Sequence, residues 1–232
     1  MKLFANGCSH TWGGGILEGQ GYKSTLKSCL FNEEDQDLKN LRLSSVWPFH
    51  LSKLLNCTET INLGIGCGSN QRIVRTTFDF FIDKIKNNED LSEWIAVIQW
   101  TEPSRYEIYD SNIDKFNLIK LDVVIPQVST YRHEYLQNRF FEPDELFVSE
   151  FLVHLVALAS FFDKWKINYR FTRINPSPPI PEFYRNNFKW VDEFSAMLDH
   201  HKIYQTKCHH PNIEGHKLIA KEIYNSFKKD YN

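Results

Sequence analysis

The segment Trp94-Ile-Ala-Val-Ile-Gln-Trp100 restricts the fold more than any other part of this chain. It is nearly all apolar and carries no in–out alternation, so neither face of it suits water. That is the pattern of a strand covered on both faces, the kind found in parallel sheets flanked by helices.

The rest of the chain supplies what such a sheet needs. Residues 2–6 are short, apolar and end at Gly7, a first buried strand; 60–63 form a second, ending in the glycine-rich run Gly64-Ile-Gly-Cys-Gly-Ser-Asn70. Helices are expected at 47–55, where apolar residues fall at 47, 51, 54 and 55, and at 70–86, where Ile73, Val74, Thr77, Phe78, Phe81 and Ile85 share a face. Residues 144–166 are the longest amphipathic stretch, 167–172 alternate like a strand, and 186–199 are expected to be helical. Pro176, Pro178, Pro179 and Pro181 forbid regular structure between them. Asn212 is placed to cap a last helix running to about Phe227, with Leu218, Ile219, Ile223 and Phe227 inward. Strands alternating with helices predict an α/β fold with a central parallel sheet and helices on both sides. With no linker and no repeat, 1–232 read as one domain, carrying loop insertions at 18–45 and 103–143.

Composition narrows the function classes. Of 232 residues, 42% are hydrophobic and 15% aromatic, enough to bury a core and to exclude global disorder. The net charge of −2 and isoelectric point near 6.5 argue against a nucleic-acid-coating protein. Mean hydropathy is −0.43, and no apolar run approaches the roughly 18 residues of a membrane span. The first residues lack the apolar core of a signal peptide, so a cytoplasmic protein is expected. Cys8, Cys29, Cys57, Cys67 and Cys208 are odd in number and without CxxC spacing, and are read as free thiols.

In an open parallel sheet, sites form at the carboxyl ends of the strands. Four segments there carry unusual residues: 7–10, 64–70, 99–105 and 208–212. Ser9 follows the first strand on a tight turn, where backbone N–H groups can face an attacking hydroxyl and its oxyanion. His210 precedes Pro211 at a helix start and is a natural general base for a serine near neutral pH.

Together the blocks ANGCSHTWG, NLGIGCGSNQRI, VIQWTEPSR and HHPNIEGHKLIA resemble the SGNH hydrolases, the GDSL lipase/esterase superfamily, in order and spacing. The third block is most similar to that of phage-type members. This resemblance covers the chain ends and 60–105. It implies a flavodoxin-like three-layer α/β/α sandwich, with Ser9 as nucleophile and His210 as base. It also implies an oxyanion hole built from the Ser9 N–H, a glycine at Gly66 or Gly68, and an asparagine of the third block. No cofactor is implied.

Two positions depart from the family pattern. The asparagine position falls at Thr101-Glu102, leaving Thr101 or Asn70 as substitute donors, and a donor of this kind is worth about 10²–10³ in rate. The aspartate expected three residues before His210 is Lys207, so an orienting acceptor must come from elsewhere, with Glu102 and Asp199 as carboxylate candidates and a main-chain carbonyl as the alternative. Arg105 can bind an anionic substrate group or pair with a nearby acid. Cys8 beside Ser9 is read as a packed thiol. His200, His201, Cys208, His209, His210 and His216 match no zinc spacing, and no metal is expected. Tyr106, Tyr109, Tyr131, Tyr135, Phe140 and Phe141 follow the third block and are candidates to line a cleft. The leading expectation is an esterase or O-acetyl esterase acting on a small-molecule or glycan ester. The rival is a binding or structural module on the same fold with a degenerate site.

Overall fold

The structure is a computed structural model; it describes residues 1–20, 35–103, 105–110, 115–120, 144–174, 180–191, 204–206 and 210–229. Four parallel strands form the central sheet: β1 (Lys2–Asn6), β2 (Glu59–Asn62), β3 (Trp94–Trp100) and, for now called the outer strand, Asn168–Arg173, in the order β2-β1-β3-outer strand. Phe4 lies between Ile61 and Ala96, and Ile98 beside Phe171. All seven residues of β3 are buried, as the apolar run predicts. This is the flavodoxin-like strand order, with its switch point between β1 and β3.

Helices cover both faces. After β1 come α1 (Ser9–Trp12), α2 (Ile16–Gly19), α3 (Gln36–Leu43) and α4 (Trp47–Leu54), the last of which covers the first face. Trp47 and Leu51 of α4 pack with Leu3, Ala5, Ile95 and Val97. On the other face lie α5 (Asn70–Lys86) and α6 (Asp144–Lys164). Phe151, Leu155, Leu158, Ala159 and Phe162 of α6 recur at helical spacing and meet Phe4, Ala96, Ile98 and Trp100. Numbering the strands in chain order, β4 (Arg105–Asp110) and β5 (Lys115–Lys120) form an antiparallel pair, and the outer strand is β6. The helix α7 (Glu182–Asn187) follows, and α8 (Ile213–Lys228) closes the chain over the first face with Ile219, Ala220, Ile223 and Phe227. Asn212 caps α8 by accepting the Gly215 N–H at 2.9 Å. No described helix is long and apolar enough to cross a membrane.

Four elements differ from the sequence reading. The polar stretch inside 18–45 contains the helix α3, capped by the Asp35 carboxylate on the Asp37 N–H. What seats α3 is not an apolar stripe but Arg42, buried, donating to the Trp12 carbonyl and lying 4.0 Å over the Trp12 ring. Within 103–143, Arg105–Asp110 and Lys115–Lys120 form the antiparallel β4–β5 pair, docked on α5 by a forked Arg75–Glu107 ion pair and a Glu107 N–H to Gln71 bond. Residues 188–191 are not helical: Lys189 and Val191 exchange backbone bonds with Phe171, extending the sheet, while 192–199 lie outside the described residues. β6 is buried on both faces rather than on one, because Arg170 spends its guanidinium on Ser226, Asn168 and the Tyr169 carbonyl and stacks on Phe227.

Candidate active site

The carboxyl ends of β1 and β3 meet at the switch point, and the candidate residues gather there. β1 ends on Asn6, whose buried amide donates to the Ile73 carbonyl and to Thr76 and Thr77, tying the strand end to α5. The chain then turns through Gly7, where an added Cβ would stand 2.3 Å from Thr11 Oγ1 and 2.9 Å from Gln99 Cβ. This close approach lets Thr11 donate to Gln99 Oε1 at 2.6 Å and fixes the start of α1. Ser9 is the first residue of that one-turn helix, after the buried Cys8. Its N–H belongs to the set that has no partner within the helix.

His210 arrives from a different direction. Residues 204–206 pair antiparallel with 210–212: Thr206 donates from N and Oγ1 to the His210 carbonyl, and the Asn212 N–H donates to Tyr204. Between these clamps the imidazole Nε2 lies 2.9 Å from Ser9 Oγ, across 201 residues of sequence. That is hydrogen-bond distance for a nucleophile and its base.

Room for the ring comes from glycines that the sequence reading passed over. A Cβ on Gly14 would lie 2.7 Å from His210 Cδ2 and 3.0 Å from Nε2; one on Gly15 would lie 2.7 Å from His210 Cβ. Gly13, with φ +101°, ends α1 in the left-handed conformation and turns the chain under the ring. Three consecutive glycines immediately after the serine block were the available signal.

The other expected residues fall around this pair with distinct roles. The Gly66–Cys67 turn sits against Gly7, with Cys67 at φ 58°, a strained conformation for a residue with a side chain. Gly68 donates its N–H to the Ile65 carbonyl, so it closes the turn. Asn70 accepts from the Thr101 N–H and donates one of its two amide hydrogens to the Thr101 carbonyl, at 2.9 and 3.1 Å, pinning the end of β3. Thr101 is buried and its hydroxyl has no partner among the described residues. The Glu102 carboxylate accepts from both Nε and Nη2 of Arg105, at 3.1 Å each. That is the pairing with a nearby acid expected as one alternative for Arg105, and it engages one oxygen of Glu102. Asp199, Lys207, Cys208, His209, His200 and His201 lie outside the described residues, as do Tyr131, Tyr135, Phe140, Phe141 and the side chains of Tyr106 and Tyr109.

Three further histidines sit on this side of the sheet. His10 has its ring 4.9 Å from that of His210. Burial, and then the neighbouring His210, His216 and Arg105, hold His10 well below the usual imidazole range, so it stays neutral. His216 is wholly buried, and its Nδ1 accepts the Trp47 N–H at 3.1 Å, capping α4. Burial, with His50 and His210 adding to it, pushes His216 down to about 3; His50 is lowered too, by burial first and then Lys217. Among the described residues, no group of three or more His, Cys, Asp or Glu could hold a metal ion.

The buried histidines have a consequence for stability. His216 binds a proton near 6.5 when unfolded and only near 3 when folded, so the unfolded state carries more protons between those values. Stability is complete above 6.5 and is lost as pH falls toward 3, by about 1.4 kcal/mol per pH unit for one such group. Urea midpoints at about pH 4.5 and about pH 7.5 should differ accordingly, and His216→Asn, which keeps an acceptor for Trp47, should narrow the gap. An unchanged gap in that variant would assign the acid sensitivity to other groups.

The family model for DUF6071, a family of unknown function, matches residues 29–193, well over half of the chain. The chain belongs to this family. The DUF6071 segment carries α3 through α7 and β2 through β6, but both Ser9 and His210 lie outside it. Among characterised proteins, none matches by sequence. Solved structures do. A protein assigned to the lipolytic G-D-S-L family from Desulfitobacterium hafniense superposes with a TM-score of 0.51 at 13% identity, covering 97% of this chain and 98% of the other. A member of the lipolytic protein G-D-S-L family from Veillonella parvula gives 0.50 at 14% identity, covering 98% of each. At these identities the likeness establishes that this DUF6071 chain shares their fold.

Proposed function

We propose that this chain is a serine hydrolase that cleaves carboxylic esters, O-acetyl esters of glycans among them, through an acyl-enzyme on Ser9 with His210 as the base. The observation that carries the reading is the 2.9 Å approach of Ser9 Oγ to His210 Nε2 at the switch point of the sheet. In the reaction, Ser9 Oγ attacks the ester carbon as its proton passes to Nε2 of His210, and the carbonyl pair moves onto oxygen. The tetrahedral species then expels the alcohol, which takes the proton from His210. Water attacks the acyl-Ser9 carbon with His210 again accepting a proton, and the acid and the free serine result. The Ser9 N–H serves the oxyanion. Of the two candidate glycines, Gly66 suits that role better, because Gly68 spends its N–H on the turn. A phage-type origin, a cytoplasmic location and a single domain over 1–232 belong to the same reading, as does the absence of a cofactor.

A second reading, a binding module with a degenerate site, is favoured by one feature. Thr101-Glu102 and Lys207 stand where the resembled family has an asparagine and an aspartate. Labelling separates the two. A fluorophosphonate probe should modify Ser9, identified by peptide mass, with no label on the Ser9→Ala protein and slowed labelling of His210→Ala. Wild-type protein that stays unlabelled would establish the binding module.

A further inference from the structure

One short segment seats the base. Residues 9–15 meet the His210 ring in three ways: Ser9 Oγ stands at Nε2, Gly14 and Gly15 leave room beside Cδ2 and Cβ, and the ring of His10 lies against it. The nucleophile and the bare glycine backbone account for the first two. The third contact has no role in the mechanism above. His10 is the second residue of α1, so its backbone belongs to the same turn as Ser9, whose carbonyl accepts the N–H groups of Gly13 and Gly14 at 2.9 and 2.7 Å. The two imidazole centroids are 4.9 Å apart, with the ring planes at 37°. That tilt is nearer to offset stacking than to an edge contact, so the rings meet largely by their faces. His10 Nδ1 is buried with no hydrogen-bond partner among the described residues. That nitrogen does not tie the ring down, and what His10 presents to the base is its aromatic face. Burial keeps His10 neutral, so it does not repel a positive charge beside it.

We infer that His10 is a positioning residue for the base: its aromatic face fixes the plane of the His210 ring and stabilises the imidazolium that His210 becomes on taking the Ser9 proton. The inference rests on the hydrolase reading above. Lys207 stands where the resembled family has an orienting aspartate, so the ring needs another support. Once Nε2 holds the proton, one positive charge is shared over the imidazolium. A cation within about 6 Å of an aromatic centroid is attracted to the ring face, and the His10 centroid lies inside that distance. The attraction arises only as the proton moves. It therefore favours the transition state over the bound ester and acts on kcat rather than on KM. After the alcohol leaves with the proton, His210 is neutral again and the contact returns to plain packing.

The test is steady-state hydrolysis of p-nitrophenyl acetate by the full chain, with melting temperatures recorded for every variant. His10→Leu keeps apolar bulk and removes the aromatic face; it should lower kcat by about ten-fold, with KM changed less than about three-fold. His10→Met, flexible and also without an aromatic face, is read in its place should the leucine variant not fold. His10→Phe restores a neutral aromatic face without any ring nitrogen, and should recover most of the kcat lost in His10→Leu. A purely structural filler would not separate leucine from phenylalanine in this way. Equal losses in His10→Leu and His10→Phe would overturn the inference, as would a His10→Leu kcat within about three-fold of wild type. A raised KM with unchanged kcat would make His10 a ground-state binding group and overturn it too. These outcomes leave the hydrolase reading standing. Absence of Ser9-dependent turnover in the unaltered protein would overturn that reading and this inference with it.

Discussion

Ser9→Ala should remove ester turnover, by about 10³-fold or more in kcat, while leaving the fold intact. Ser9 is only partly buried, and its side chain contacts the His210 ring and the Cys8 sulfur rather than the core. Its loss therefore costs little packing. His210→Ala should lose nearly as much, and the double variant no more than the worse single one, because the two groups act in one step and their losses do not add. The rate should rise with pH as the base becomes neutral. Hydrolysis of p-nitrophenyl acetate by purified wild type, Ser9→Ala, His210→Ala and the double variant checks all of this. Equal rates for wild type and Ser9→Ala would leave only background and favour the binding module.

Gly14→Ala should cost activity on a scale that its lone methyl would not suggest, about 10²-fold in kcat, since catalytic groups displaced by about 1 Å lose that much. The added carbon would stand 2.7 Å from His210 Cδ2 and 3.0 Å from Nε2, so the ring must leave its present position against Ser9 Oγ to relieve the contact. Gly14 does not have a left-handed φ, so alanine there does not strain the backbone. Gly13→Ala provides the contrast. It combines φ +101° with a contact of 2.5 Å to Val46 Cγ1, so it should lower the melting temperature. Kinetics and thermal unfolding on the two variants separate these effects. A Gly14→Ala enzyme with wild-type kcat would mean that the ring has a second productive position.

Much of the scaffold is legible in local pattern. The run 94–100 could only be a strand covered on both sides, and it pairs with β1 and β6 at the centre of the sheet. The apolar spacing of 70–86 and the Asn212 cap gave helices at the observed places, because periodicity and capping act over a few residues. The elements missed are those held by single long polar side chains. Arg42 seats α3 through Trp12, and Arg75 with Gln71 anchors the hairpin through Glu107, contacts across 30 to 36 residues that no periodicity announces.

For the site, the sequence by itself supplied a serine on a turn after the first strand and a histidine before a proline, and their resemblance to a hydrolase pattern suggested a pair. Folding decided the rest. Only the parallel crossovers bring residues 201 positions apart to 2.9 Å, because strand order is settled by how helices pack on a twisted sheet and not by local preference. Only tertiary contacts sort chemically equivalent side chains into roles. His210 faces a hydroxyl while His216 is turned inward to cap α4, and Asn70 pins the backbone of Thr101 while Arg105 pairs with Glu102. The same imidazole, amide or guanidinium has the same intrinsic chemistry in either place. Burial and partner decide which proton it holds and which atom it can reach, and those are properties of the packed chain.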